Sequence, residues 1–427
     1  MTIYLKDACY VDWQSLEFTR GHMAVTSPDD GKLRFLDALP EKETLSDDEI
    51  ILDCQNRLVM KSFACGHHHI YSALARGMPA PEKIPENFAE TLQYIWWRLD
   101  RLLDMDMIRA SALVTALYCL KNGVTFVVDH HSSPFAIEGS LETIAKAFDD
   151  MGISHLLCYE MSDRDGESPK EKALEESERY LENKSQGHVG LHASFTVGDD
   201  LLKRAVALAE KYDTGLHVHV AEDAVDQEHC MKTYKKRVVQ RFADTGVLDL
   251  NKSILSHCIH LDEKEIAQVR DSKVWVAQNT ESNLNNNVGV TNYRALGENV
   301  ILGTDGMHSD MLRSANAVFL TGQPTEGIDM VSTYNRFRKV HHYIRENGFE
   351  GDGENNIVIL DYDSPTEINS GNFLGHFIYG MEAKHVESVI SSGKLVLYKK
   401  RLMTADEGEI LTFAREMGNK LWDKMRS

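Results

Sequence analysis

The densest cluster of metal-ligating side chains is Gly66-His67-His68-His69-Ile70-Tyr71-Ser72. It follows the apolar run Leu58-Val59-Met60-Lys61-Ser62-Phe63-Ala64, which reads as a buried strand. Side chains alternate faces along a strand, so His67 and His69 point one way and His68 the other. Two imidazoles on one face at a strand end can grip one divalent cation together. Histidine clusters also arise as surface decoration, so the reading depends on what else reaches the same place. Three further apolar runs end in such groups: Leu216-His217-Val218-His219-Val220-Ala221-Glu222, Leu255-Ser256-His257 and Leu302-Gly303-Thr304-Asp305-Gly306.

The elements that must position these groups can be counted. Strand-like runs fall at Leu58–Cys65, Val124–Asp129, Ser154–Glu160, His188–Ser194, Gly215–Val220, Ser253–His257, Lys273–Gln278 and Asn299–Thr304. Between them lie helical periodicities, such as Leu201-Leu202, Ala205-Val206, Leu208-Ala209, and a long stretch from Phe88 to Leu120 carrying Leu92, Ile95, Trp96, Leu99 and Leu103. Such alternation predicts an α/β protein built on a distorted TIM (β/α)8 barrel, with functional groups at the C-terminal strand ends. A doubly wound open sheet is the alternative, but no Gly-rich phosphate turn follows the first strand.

Short strands before residue 58 and after residue 356, including His376-Phe377-Ile378-Tyr379, predict a small β-sandwich domain made from both chain ends, residues 1–57 and 357–405. The barrel then occupies 58–356. Leu411, Phe413, Met417 and Leu421 mark an amphipathic C-terminal helix within 406–427. The stretch from Glu41 to Glu49 reads as an exposed acidic loop.

Bulk composition narrows the function classes. The 427 residues are 42% hydrophobic and 26% charged, with a formal net charge of −20. Phosphate binding needs a basic face, so this acidity argues against a nucleic-acid partner. The seven cysteines are scattered without CxxC pairing, which fits reduced thiols in a cytoplasmic protein. No apolar run approaches the roughly 20 residues needed to cross a bilayer, and the N-terminus lacks signal-peptide character.

The chain resembles the amidohydrolase superfamily over nearly its full length, in HxH at 67–69, HxxE at 219–222, SHCIHL at 256–261 and LGTDG at 302–306. Within it the resemblance is to the aminohydrolase/chlorohydrolase branch that holds the S-adenosylhomocysteine, guanine and cytosine deaminases. It is closest to SsnA-type aminohydrolases, through Ile70-Tyr71-Ser72-Ala73-Leu74-Ala75-Arg76-Gly77, Trp96-Trp97-Arg98-Leu99-Asp100-Arg101, Val128-Asp129-His130-His131-Ser132-Ser133-Pro134 and Thr304-Asp305-Gly306 with Ser309-Asp310-Met311.

The resemblance implies one divalent metal, held by His67, His69, His219 and Asp305. Zinc is the default and iron or manganese suit the same donors. It implies catalytic roles for Asp305 as acceptor of a water proton, for Glu222 as proton shuttle and for His257 in stabilising developing charge. Gly190-Leu191-His192-Ala193 stand where binuclear relatives carry a bridging lysine, which points to a mononuclear site. His192 matches a substrate-contacting position of deaminase relatives. A homodimer is a further expectation. Lys61-Ser62 and Gly351-Asp352-Gly353-Glu354-Asn355 depart from the usual family pattern.

Other residues are weighed on their own chemistry. His308, in the loop after the last strand, and Arg164, a possible anion ligand, are candidates for substrate binding. His217 reads as support for the site and His68 as packing. Either His130 or His131 lines the mouth. Trp96 and Trp97 read as helix core, and Asn279, Ser282 and Asn283 as loop-ordering groups. The expected activity is hydrolytic deamination of an amino-substituted purine, pterin or pyrimidine. Alternatives are a chlorohydrolase or cyclic amide hydrolase on the same scaffold, or a metal-binding protein without turnover; Glu222 and His257 disfavour the last.

Overall fold

The computed structural model describes residues 2–26, 31–183 and 186–426. Met1, residues 27–30, residues 184–185 and Ser427, which fall within the expected domains and terminal helix, lie outside the described residues.

Eight strands form the barrel: Phe63–His68, Val124–His131, Ser154–Tyr159, Val189–Ala193, Leu216–Val220, Ile254–His257, Trp275–Gln278 and Val300–Leu302. They hydrogen-bond as one parallel arc of three and one of five. Single bridges, His68 with Asp305 and Met161 with Leu191, close the two seams. Every residue of these strands is buried except Ser154. This explains runs that are apolar on both faces rather than alternating. Helices such as Asp199–Lys211 cover the outside, burying Leu201, Leu202, Ala205, Val206, Leu208 and Ala209.

The expected first strand is in fact two. Leu58–Lys61 belongs to a different sheet, and the backbone changes sheets at Ser62, whose N–H donates to Asn356 O while Phe63 N–H donates to Gly123 O. The expected helix from Phe88 to Leu120 also divides. Asp104 caps a new helix, Met105–Lys121, by accepting from Met107 N–H at 3.0 Å. Before it, the helical segment from Phe88 to Asp100 contains a π turn at Leu92–Trp96. The expected strand at His376–Tyr379 is a helix, Phe373–Tyr379. Its Phe373 and Phe377, four residues apart, pack together against Tyr334, and that spacing is helical.

Both chain ends build one mixed nine-stranded sheet. Thr2–Val11 pairs antiparallel with Phe18–Thr26 and parallel with Glu49–Asp53 and then Leu58–Lys61. Leu58–Lys61 in turn pairs with Ile357–Leu360, which continues into Val386–Ser391 and Lys394–Tyr398. The expected small β domain from both chain ends is thus present, its strands joined in one mixed, forking sheet around its own core of Ile3, Leu5, Tyr10, Val25, Val59, Ile357 and Ile390. The acidic stretch after Glu41 contains a short 3-10 turn, Lys42–Thr44.

The terminal helix, Glu407–Arg426, buries Ile410, Ala414, Met417 and Leu421. Trp422 Nε1 donates to Leu74 O at 2.9 Å, tying it to the turn that follows the histidine triplet. All seven cysteines are buried free thiols. No helix among the described residues is long and apolar enough to cross a membrane.

Candidate active site

The C-terminal ends of strands one, five, six and eight meet. His67, His69 and His219 surround a common point, with ring centroids 4.8 to 5.3 Å apart. Asp305 Oδ1 lies 3.1 Å from His69 Nε2 and 3.6 Å from His67 Nε2. The seam between strands one and eight places it there, because Thr304 N–H and Asp305 N–H both donate to His67 O. Close approach at this seam requires Gly303, where a Cβ would stand 2.3 Å from Asn279 Oδ1 and 2.7 Å from His67 Cβ. Ala221, His257 and Asp305 all hold left-handed backbone, with φ of 45°, 73° and 52°. Such conformations cost on the order of 1 kcal/mol or more each and concentrate at functional sites.

The outer ring nitrogens fix which atoms face inward. His69 Nδ1 donates to His130 O at 2.7 Å and His219 Nδ1 to His192 O at 2.8 Å. Each Nε2 is thereby left a lone pair in the neutral ring. Those two Nε2 atoms are 3.1 Å apart. His67 Nδ1 is engaged by His217 Nε2 at 2.8 Å and Ser256 Oγ at 3.2 Å, while its own Nε2 is buried without a partner. Converging nitrogen lone pairs beside a carboxylate repel one another, and a divalent cation is the group that this donor set fits. Burial holds His67 down at about 3 and His219 well below the ordinary histidine range, so both rings are neutral. Burial would lower His69 too, but Asp305 outweighs it and, without a cation, raises His69 to about 9. Burial opposes ionisation of Asp305, yet His67 and His69 beside it, His69 Nε2 at 3.1 Å, hold its carboxyl well below the usual range.

Glu222 and His257 stand beside this set. His257 Nδ1 donates to Asn283 Oδ1 at 2.7 Å, and Asn283 Nδ2 donates to Tyr293 Oη, which in turn donates to His257 O. The clamp leaves His257 Nε2 3.6 Å from Glu222 Oε2 and 3.8 Å from Asp305 Oδ2. Burial pushes the Glu222 carboxyl up to about 7, against the pull of His257.

A cavity of about 220 Å³ opens over these groups. Its wall includes His192, Glu160, Ser282 and Asn286 together with Phe88, Leu92, Trp96 and Trp97, and the Trp97 ring meets His192 edge-on at 6.0 Å. The tryptophans are thus not simply helix core. A π turn has more residues per turn than an α-helix, which lets Leu92, Trp96 and Trp97 share the cavity side.

The remaining candidates are placed as follows. His192 lines the cavity, with Nδ1 2.6 Å from Thr196 Oγ1. His308 turns instead to Glu281, 2.6 Å away, and Met307 lines the cavity in its place. Arg164 lies behind Trp97, its guanidinium carbon 5.3 Å from that ring centroid. It pairs with Asp100 and Asp165, so its charge is spent on the protein. His68 is turned away and meets Ser309 Oγ at 3.2 Å. His131 bonds Ser133 Oγ, and His130 stands behind the wall against Glu160 at 3.1 Å. Glu160, which sequence reading left as a mere strand end, is the added wall residue.

The sequence profile of the amidohydrolase family matches residues 58–396. The chain belongs to the amidohydrolase family. Among similar proteins, a 5′-deoxyadenosine deaminase of Methanopyrus kandleri is 28% identical over 421 residues, spanning 92% of this chain and 94% of that protein. A 5-methylthioadenosine/S-adenosylhomocysteine deaminase of Syntrophomonas wolfei is 28% identical over 402 residues, spanning 88% and 89%. The zinc-bound adenosine deaminase of Xanthomonas campestris shares this amidohydrolase's fold with a TM-score of 0.81 at 19% identity, over 98% of both chains. The zinc complex of an atrazine chlorohydrolase from Arthrobacter aurescens TC1 matches with a TM-score of 0.80 at 16% identity, over 97% and 100%.

Proposed function

We propose that this amidohydrolase is a metal-dependent deaminase of adenine-type nucleosides, replacing the ring amino group by oxygen and releasing ammonia. The observation that carries the reading is Glu222 and His257 set against the His67, His69, His219 and Asp305 cluster, under a cavity walled by Trp96 and Trp97. Metal storage needs neither Glu222 nor His257. The aromatic wall suits a flat heterocycle. The deaminases of Methanopyrus kandleri and Syntrophomonas wolfei, each similar over most of its length, favour a purine nucleoside. Within the family we infer an SsnA-type relationship from the strings around Tyr71, Trp97 and His131.

Zinc is the ion we assign, and His67, His69, His219 and Asp305 are the residues that would hold it. When bound, it supplies a water acidified toward neutrality as nucleophile. The chain's own groups then manage protons and charge. Asp305 stands to take a proton from the water. Glu222, which retains its proton to about pH 7, donates to the ring nitrogen beside the carbon under attack. His257, fixed by Asn283, hydrogen-bonds the oxygen on which charge grows. A proton returned to the amino group lets it depart as ammonia.

The test is an ammonia-release screen of the zinc-loaded protein against 5′-deoxyadenosine, 5′-methylthioadenosine, adenosine and adenine, with guanine, pterin and cytosine as outgroups. Release from the adenine set supports the reading. Release from an outgroup alone moves the substrate, and silence throughout overturns deamination.

A further inference from the structure

Of the polar groups on the cavity wall, Glu160 takes no part in the chemistry above. It directly follows the third barrel strand, is 5% exposed, and has Oε2 3.1 Å from His130 Nδ1. His130 is itself fixed, with Nε2 at 3.1 and 3.0 Å from the carbonyl oxygens of Leu191 and His217. Carbonyls only accept, so His130 Nε2 carries a hydrogen. One further proton then lies between His130 Nδ1 and Glu160 Oε2. Either the pair is imidazolium and carboxylate, or a neutral ring facing a carboxylic acid protonated on Oε2. In both arrangements Oε1 has lone pairs and no hydrogen. No protein group among the described residues donates to Oε1, and Glu160 lines the cavity.

His192 beside it follows the same logic. Thr196 Oγ1 donates to Ala193 O at 3.1 Å, so His192 Nδ1 donates to Thr196 Oγ1 and His192 Nε2 is left an acceptor. Glu160 groups with His69, His130 and His219, whereas Glu222 groups with His257 and Asp305. The two glutamates therefore stand in the same cavity beside different members of the proposed ligand set.

We propose that Glu160 Oε1 accepts a hydrogen bond from the substrate at a position other than the one Glu222 protonates, and so selects ligands carrying an N–H or O–H donor there. A ligand lacking that donor strands a buried acceptor, which is a strong basis for rejection. The proposal deepens the deaminase reading and rests on it only for the reaction followed.

The test compares zinc-loaded wild type with Glu160→Ala and Glu160→Gln on two substrate pairs. Adenine against 9-methyladenine deletes a ring N–H, and 5′-deoxyadenosine against its 2′,3′-dideoxy analogue deletes the sugar hydroxyls. Wild type is expected to prefer the donor-bearing member of one pair by roughly tenfold or more in kcat/KM. Glu160→Ala, compared as folded, zinc-loaded protein, is expected to bring that preference within about twofold. Glu160→Gln, whose amide oxygen can stand in for Oε1, should keep part of it. The responding pair separates a ring donor from a sugar donor. If wild type releases no ammonia from any of the four, the same ratios are read as calorimetric Kd values, so deamination can fail while recognition stands. No preference in either pair by either readout, or a preference undiminished in Glu160→Ala, overturns the proposal.

Discussion

Lys61 Nζ donates to Asp352 Oδ1 at 2.8 Å, with side-chain exposures of 2% and 5%. The same ammonium also donates to the carbonyls of Asp352 and Gly353, and His341 Nδ1 meets Asp352 Oδ2 at 2.8 Å. Burial opposes ionisation of Asp352, but His341 and Lys61 hold its carboxyl at about 2. The two departures from the family pattern, Lys61 and the Gly351–Asn355 loop, are thus a single compensated pair at the junction of barrel and terminal sheet. Removing one partner strands the other charge. Asp352→Ala is expected to cost about 3–5 kcal/mol in chemical denaturation. A loss below about 1 kcal/mol would make the pair dispensable.

Acid should expose the same pair. The folded Asp352 carboxyl lies below its ordinary value of 3.8, so its stabilisation is complete above about pH 4 and fades as pH falls toward 2. The wild-type minus Asp352→Asn stability difference should therefore shrink across that window. A difference constant from pH 5 to pH 2 would contradict the assignment.

At the site, Asp305→Asn is expected to lower zinc content and turnover together, by roughly 100-fold in kcat/KM. Metal analysis by atomic emission checks the first and ammonia release the second. Full zinc occupancy in the variant would remove Asp305 from the ligand set.

The metal cluster was legible because each of its members ends an apolar run, so a barrel topology alone brings them together. Glu160 was not, since its partner His130 lies on the neighbouring strand, 30 residues earlier, with no spacing motif to link them. The tryptophan wall was hidden by its own periodicity. Helical spacing assigns Trp96 and Trp97 to a core, and only the π turn presents both to the cavity. Arg164 misled as a solitary cation because Asp100, which neutralises it, is 64 residues away.

Removing that wall should weaken substrate capture more than chemistry. Trp97→Ala is expected to raise KM about tenfold with kcat changed less than threefold, as measured by steady-state kinetics. An equal loss in kcat with KM unchanged would place Trp97 in the transition state instead.

If Glu222 is the proposed acid, it sets the pH profile. Its folded carboxyl is raised from 4.5 to about 7 by burial, so the acid form persists through neutrality and is lost above it. If that acid donates to the ring nitrogen, kcat/KM falls on the alkaline side of pH 7. A rate that instead rises through pH 7 to a plateau means that Glu222 works as the carboxylate.

The most direct measurement of the central claim is product mass and ammonia from zinc-loaded wild type and Glu222→Gln, with 5′-deoxyadenosine in 18O-labelled water. Wild type is expected to release one ammonia per heavy oxygen incorporated into the ring. Glu222→Gln is expected to keep its zinc yet lose at least about 100-fold in rate. Equal rates in the two proteins, or ammonia without heavy oxygen in the product, would contradict that claim.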